Sequence, residues 1–332
     1  MFSVTNNRGF IPQSEQFEDR EMKGEDIKAY KVIHNNEFAY NPARINVGSI
    51  AKYNGDEPCM ISSLYVCFRA NNGIDEDWLM HLLRTPKIQY YYQLNGEGGV
   101  RIYLFYPNFA RIKTSVPTIE EQKKIAKLLS LIDKRIATQT KIIDNLQCLI
   151  KGLRVQLFKP LIYNQIKLGC IARVTNGSGD VQDAISDYQD DLFPFFDRSE
   201  EVKFFKDYSF DDEAIIYAGE GSEFLPRYYN GKFALHQRCY AITICSSDYL
   251  LRYIYHYLQT QNNYFIRNAV GSTVPSLRMN CFLKIGIPVA KMDIQEGVVR
   301  KLDTLCKKMD NEKYILSLYQ RQKAFFMQKM FI

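Results

Sequence analysis

The chain has 332 residues, 46% of them hydrophobic and 24% charged, with a formal net charge of +6. That length holds two ordinary domains, and that composition excludes an intrinsically disordered protein. A pI near 8.7 permits a polyanionic partner without requiring one, and no stretch has the pattern of a signal peptide or of a membrane span.

Residues 1–36 read as polar and turn-rich. Short strands are expected at Glu37–Tyr40 and Ser62–Phe68, separated by an Asn-, Gly- and Pro-rich stretch, 40–58, with the chemistry of a loop. A helix is expected from Asp77 to about Leu94, interrupted near Pro86. A Gly-rich turn, Asn95–Gly99, leads to a strand at Val100–Phe105 and a last one around Ile112, before Pro117.

The next 45 residues carry the clearest pattern in the chain. Ile125, Leu129, Ile132, Ile136, Ile143, Leu146, Ile150, Leu153 and Leu157 recur in steps of four and three, broken by Gln139. That spacing is the 3.5-residue seam of a coiled coil. Thr118 and Glu121 form a capping box at its start, and Lys159-Pro160 marks its end. At 1.5 Å per residue such a helix is about 60 Å long and needs a partner helix.

A second domain is expected to open with a strand at Ile166–Thr175. Strands near Ala214–Tyr217, Lys232–Leu235 and Cys239–Cys245 follow, then a helix from about Asp248 to Ile266 and a strand at Leu283–Ile287. From Pro288 the heptad pattern returns. Displaced by 173 positions, the first seam falls on Val298, Leu302, Leu305, Met309, Leu316, Tyr319, Phe326 and Met330, with Glu312 at the place of Gln139 and Lys323 as a further break. Asp293 and Glu296 repeat the capping pattern. Outside the helices, Trp78–Thr85 matches Tyr253–Thr260, Tyr65 matches Tyr240 and Gly96 matches Gly271. The chain therefore reads as a tandem duplication of globular domain plus long helix, of mixed α+β class. Its expected divisions are 1–116, 117–160, 161–287 and 288–332, with the two helices paired antiparallel about a pseudo-twofold. A central polar layer of Gln139 and Glu312 could fix their register.

No catalytic constellation emerges. His34, His81, His236 and His256 share no spacing that builds a triad or a metal site, and the eight cysteines form no C-x-x-C pair. Their absence from any zinc pattern points to reduced thiols and a cytoplasmic protein. Asn41-Pro-Ala-Arg44 lacks the second proline and the aromatic of an adenine-methylating motif, and Glu121-Gln-Lys123 lies in a capped first helical turn. Binding is better represented. Arg44, Asn46 and Lys52 lie in the long loop of the first domain; Arg227, Tyr228, Tyr229 and Lys232 lie in the comparable stretch of the second. Arg101 and Tyr103 follow one Gly-rich turn, and Ser272, Thr273, Ser276 and Arg278 follow the other. Such side chains neutralise phosphates and read base edges.

Pro117-Thr-x-x-Glu-Gln-x-x-Ile-Ala126, Leu129-x-x-x-Asp-x-x-Ile136 and the Leu153, Leu157, Phe158 run resemble the central conserved region of type I restriction–modification specificity subunits. Lys167-Leu-Gly-x-Ile171 resembles the opening of their target-recognition domains, and Tyr40–Ile50 a stretch found in some of them. The resemblance implies two target-recognition domains, each reading half of a bipartite double-stranded DNA sequence, held apart by the paired helices. It implies docking of two modification subunits and of restriction subunits. The chain itself is then non-catalytic and needs no cofactor or metal; S-adenosylmethionine, ATP and Mg belong to its partners. Two departures stand out. Nothing before Phe38 matches the Lys-Leu-Gly-x-Ile opening, so the first domain reads as N-terminally shortened, and Gln295-Glu-Gly-Val-Val299 replaces the Glu-Gln-x-x-Ile run. The competing reading is a non-catalytic coiled-coil scaffold, or a DNA-binding protein without sequence readout.

Overall fold

The computed structural model describes residues 1–6, 8–16, 29–99 and 102–331. It divides into two compact units, one made of Met1–Thr140 with Tyr314–Ile332 and the other of Lys141–Lys313.

The first unit opens on a hairpin where the sequence suggests turns. β1 (Phe2–Thr5) pairs antiparallel with β2 (Gly9–Pro12), followed by the single-turn α1 (Gln13–Gln16) and by β3 (Lys31–Ile33). β4 (Phe38–Tyr40) follows; the stretch read as loop holds one strand, β5 (Ile50–Lys52), and a second, β6 (Cys59–Ile61), begins directly after it. Three residues are too few for a period of two to show in the sequence. With β7 (Val66–Phe68) the unit has two sheets, ordered β2-β1-β6-β3 and β5-β4-β7.

α2 (Glu76–Leu83) starts where the Asp75 carboxylate accepts from the Trp78 amide, and α3 (Pro86–Asn95) where the Thr85 hydroxyl accepts from that of Ile88. These caps satisfy first-turn amides that have no partner within the helix. The strand expected at Val100–Phe105 is absent from its described part, which shows only an isolated bridge between Glu97 and Tyr103. α4 (Tyr106–Phe109) follows, and Ile112–Pro117 forms no strand either.

α5 (Ile119–Phe158) carries the capping box as expected. The Thr118 amide donates to the Glu121 carboxylate at 3.1 Å, and the Glu121 amide to the Thr118 hydroxyl at 3.4 Å. Its first half closes the core of this unit, with Leu129 wholly buried beside Phe38, Tyr40, Trp78 and Tyr92. Burial of such a leucine contributes about 2–3 kcal/mol.

In the second unit the opening strand is split. β8 (Gln165–Lys167) and β9 (Ala172–Asn176) are separated by a 3-10 turn at Leu168–Cys170. β10 (Phe193–Phe196) and β11 (Lys203–Phe205) are not legible in the sequence; β12 (Phe210–Ala218) and β13 (Arg227–Leu235) extend the expected strands, and β14 (Cys239–Ile244) ends one residue before the expected one. The six-stranded sheet runs β11-β10-β13-β12-β14-β9. The expected single helix is two, α6 (Leu251–Leu258) and α7 (Asn262–Asn268), and α8 (Met279–Lys284) precedes β15 (Gly286–Pro288), which pairs with β8.

α9 (Met292–Met330) begins one residue before Asp293, which therefore sits inside the first turn and does not cap it. The amides of Ile294 and Gln295 bond instead to the carbonyl of Lys291. The first half of α9 lies in the second unit and the second half in the first. In the first unit Asp133 pairs with Lys323 at 2.5 Å and the Arg135 guanidinium lies 5.8 Å from the Tyr319 ring, so the two helices run antiparallel there. In the second unit Arg154 donates to the Cys306 sulfur at 3.8 Å, and Leu302 is wholly buried among Phe158, Tyr253 and Tyr257. All the seam residues named above, Gln139 and Glu312 included, are buried or half-buried.

One buried side chain repeats between the units. Gln122, 1% exposed, donates to the Gly73 and Pro117 carbonyls and accepts from the Asp75 amide. Gln295, wholly buried and 173 positions on, donates to the Asp248 and Ala290 carbonyls and accepts from the Leu250 amide. Each glutamine ties the first turn of a long helix to the loop ahead of a domain helix.

Candidate nucleic-acid interface

β13 sends its four candidate side chains to two faces, as strand geometry requires. The Arg227 guanidinium donates through Nη2 to the Ser199 carbonyl, while its Nη1 is buried without a hydrogen-bond partner. Tyr229 packs on Phe196 and Phe233, with ring centroids 5.2 and 5.6 Å away. Tyr228 faces the helices: its hydroxyl meets the Glu213 carboxylate and the Arg252 guanidinium lies 4.1 Å from its ring. Burial, helped by Glu213, pushes that phenol well above its ordinary range. Lys232, next along the strand, is exposed, with Nζ 4.6 Å from the Tyr208 ring.

Behind Tyr228 lies a charged cluster. Asp303 accepts from Arg252 at 2.5 and 3.1 Å and from His256 at 2.7 Å. Burial alone would raise the Asp303 carboxyl, but the hydrogen bonds from Arg252 and His256 outweigh it and hold it below its ordinary value. Burial pulls His256 down to about 4 against the opposing hydrogen bond to Asp303. At neutral pH the imidazole is therefore neutral and donates through Nε2. This cluster fastens α6 to α9.

An open cleft of this unit, about 570 Å³, lies where three loops meet. It is lined by Arg198, Lys203, Glu220, Gln237 and Arg238 among others. Asp197 accepts from Lys203 at 3.0 Å and from Ser199; burial would raise its carboxyl, and these bonds hold it low. Arg238, 64% exposed, makes a forked pair with Glu220 at 2.8 and 3.0 Å. The turn at Val270–Ser276 closes on itself, with Ser276 and Val270 exchanging backbone bonds of 2.8 and 2.9 Å. It bonds to the same loop, the Gly221 amide donating to the Pro275 carbonyl and the Leu277 amide to the Gly219 carbonyl at 2.7 Å. Gly271 takes φ +99° there, a region that favours glycine. Ser272, Thr273 and Arg278 are exposed around this turn and Ser276 is half-buried in it. None of the predicted residues lines the cleft; the turn that carries Ser272, Thr273 and Ser276 is bonded to the Gly219–Gly221 loop at its edge, and the cleft's own basic and amide residues, Arg198, Gln237 and Arg238, were not singled out from the sequence.

The first unit repeats the arrangement. Glu97 and Tyr103 exchange backbone bonds of 2.8 Å, as Val270 and Ser276 do, and the Leu104 amide donates to the Pro42 carbonyl at 3.0 Å, as Leu277 does to Gly219. Tyr103 is thereby brought to the turn holding Arg44 and Asn46. Arg44 is exposed, Asn46 half-buried, and Tyr103 stacks on Phe105. Lys52 is not part of this set: its ammonium pairs with Asp77 at 2.5 Å and reaches Asn36 at 3.2 Å. Arg101 lies outside the described residues. Among the described residues no cluster of His, Cys, Asp and Glu could hold a metal ion, and no helix is long and apolar enough to cross a membrane.

Comparison with known proteins gives one answer. The type I restriction modification DNA specificity domain matches residues 22–147 and, a second time, 162–318. The EcoDI specificity subunit of Escherichia coli is 30% identical over 156 residues, 46% of this chain and 33% of that protein. The putative MjaX specificity subunit of Methanocaldococcus jannaschii is 30% identical over 142 residues, 42% of this chain and 33% of that protein. Each match thus spans about a third of the length of the curated relative. Among solved structures, the type I restriction–modification S subunit from M. genitalium superposes with a TM-score of 0.65 at 15% identity, over 90% of this chain and 83% of its own. A chain from a study of complex assembly and conformational transition in the type I system gives 0.55 at 14% identity, over 91% and 83%. At these identities the two structures speak for the fold.

Proposed function

This chain belongs to the type I restriction–modification DNA specificity family, and on that premise we propose that it is the sequence-reading subunit of such a system. Each unit reads one half of a bipartite double-stranded DNA target, and the two long helices set the gap between the halves. The working divisions are a recognition domain over 1–116, a spacer helix over 117–160, a second recognition domain over 161–287 and a second spacer helix over 288–332. Two modification subunits dock on the helices, and restriction subunits join them in the cytoplasm. The chain performs no chemistry: S-adenosylmethionine, ATP and Mg act on its partners.

The observation that carries this reading is the doubling. The family match occurs twice, and the same hydrogen-bonded pair of loops recurs at the matching place in each unit. In the second unit the DNA contacts are Lys232, Ser272, Thr273, Ser276 and Arg278 with Arg198, Gln237 and Arg238; in the first they are Arg44, Asn46 and Tyr103. Arg and Gln suit bidentate contact with base edges and phosphates.

Methylation mapping by long-read sequencing, in cells expressing this chain with a cognate modification subunit, tests the proposal. A bipartite motif of fixed gap is the expected result, and absence of any methylated motif refutes it. Lys52 and Arg227, both engaged within the fold, favour the scaffold reading. That reading predicts that replacing Arg198 and Arg238 leaves partner binding and methylation alike unchanged.

A further inference from the structure

The two units differ in one respect that their repeat makes visible. In the second unit a single stretch, Gln165–Asn176, fills a slot. β8 pairs with β15, β9 covers the outer edge of β14, and between them Leu168 and Ile171 are buried against Phe282 and Ile285. The Leu168 amide donates to the Ile285 carbonyl and the Cys245 amide to the Ile171 carbonyl, each at 2.9 Å.

In the first unit every wall of that slot is present, and among the described residues nothing occupies it. β7, the counterpart of β14, is the last strand of its sheet. Ile112–Val116, the counterpart of the β15 segment, has no regular secondary structure and pairs with no strand among the described residues. Ile287 is wholly buried, whereas Thr114, at the matching position, is exposed. Phe282 is wholly buried and Phe109, its match, only half-buried. An apolar groove of about 240 Å³ runs between the two edges, lined by Phe68, Trp78, Leu82, Phe109, Ile112 and Val116 among others. A second sign comes from hydrogen bonding. Tyr253 donates its hydroxyl proton to the Pro288 carbonyl of β15 at 3.2 Å, while the indole N–H of Trp78, its match and 2% exposed, has no partner. Buried donors are rarely left unpaired.

We propose that this groove is a docking site for a strand–turn–strand segment of a second polypeptide, one bearing the Ile-x-Leu-Gly-x-Ile-Ala-x-Val pattern of Ile166–Val174. The segment adds one strand to the free edge of β7 and another to Lys113–Ser115. Main-chain bonds supply the affinity and two apolar anchors, at the places of Leu168 and Ile171, supply the selectivity. The inference rests on the internal repeat and stands whether or not the chain reads DNA.

The probe is a fluorescein-labelled peptide of residues 164–177 of this chain, with Cys170→Ser, titrated into the full-length protein by fluorescence anisotropy. Saturable binding is expected. It should weaken about tenfold or more when the peptide carries Leu168→Asp, and tighten about fivefold when the protein carries Thr114→Ile. The Thr114 side chain is exposed, so that variant folds. Hydrogen exchange should show new protection of the amides of Val66–Phe68 and Lys113–Ser115. Failure to bind, indifference to Leu168→Asp, or protection confined to the second unit each overturns the proposal.

Discussion

Replacing Gln295 with alanine removes a side chain that is wholly buried and makes three hydrogen bonds: to the Asp248 carbonyl at 2.8 Å, to the Ala290 carbonyl at 2.9 Å and from the Leu250 amide at 2.9 Å. Each is worth about 1 kcal/mol net, and each backbone group left buried without a partner costs about 1–3 kcal/mol. Solvent entering the vacated space recovers part of that, so the expected loss is about 3–5 kcal/mol. Gln295→Glu should cost at least as much at neutral pH, because it sets a carboxylate oxygen against two carbonyl oxygens. Urea unfolding followed by far-UV circular dichroism measures both. The chain has one tryptophan, Trp78, which lies in the core of the first unit. Its fluorescence therefore separates the two anchors: Gln122→Ala shifts the tryptophan transition, and Gln295→Ala shifts the transition of the second unit. A loss below about 1 kcal/mol for either variant would refute the view that these glutamines fasten helix to domain.

Other consequences are open to simpler tests. His256 is held neutral in the fold, so between about pH 6.5 and 4 the unfolded chain binds the additional proton and stability falls as pH falls. The low-held Asp303 adds to this at still lower pH. The histidine contributes up to about 3 kcal/mol, and urea midpoints at pH 7 and 4.5 should converge in His256→Phe. Gly152 and Gly297 stand inside the long helices with open space where a Cβ would go. Gly152→Ala and Gly297→Ala should each raise stability by about 0.5–1 kcal/mol, read as a higher melting temperature. Arg198→Ala and Arg238→Ala should weaken DNA binding by the assembled complex. Each should also flatten the dependence of log K on log salt by roughly one if its contact is to phosphate. Lys323→Met breaks the pair with Asp133, which is 41% exposed, and should cost under about 1 kcal/mol.

What the sequence disclosed follows from the length of each pattern. A 3.5-residue repeat sustained over forty residues is visible without an alignment, and so is its return 173 positions later. Three-residue strands such as β5 and β6 leave no period to detect. The strand expected around Ile112 fails for a different reason: its apolar residues suit a strand, but the segment that pairs with its counterpart in the second unit has no equivalent in the described part of the first. At the candidate site, residue type pointed to turns that the fold does hold together by backbone bonds, but not to what each side chain touches. Lys52 and Arg227 have the right chemistry and spend it on Asp77 and the Ser199 carbonyl. Arg198, Gln237 and Arg238 sit in brief connections flanking β10 and β13, where an isolated basic or amide residue carries no signal until the loops are brought together.

The division of each long helix between two units orders events during synthesis. The second unit is one continuous stretch, Lys141–Lys313, so it can close as soon as those residues have left the ribosome. The first unit is not: Phe331 packs on Trp78, with ring centroids 6.0 Å apart, and Phe326 and Met330 join the same core. Its core therefore waits for residues translated after the whole of the second unit. Until they emerge, the first 140 residues have an incomplete core, the state in which exposed apolar surface invites chaperones or aggregation. The later-made unit is therefore the first that can close, and removing Phe326–Phe331 would take part of the core from the opening half.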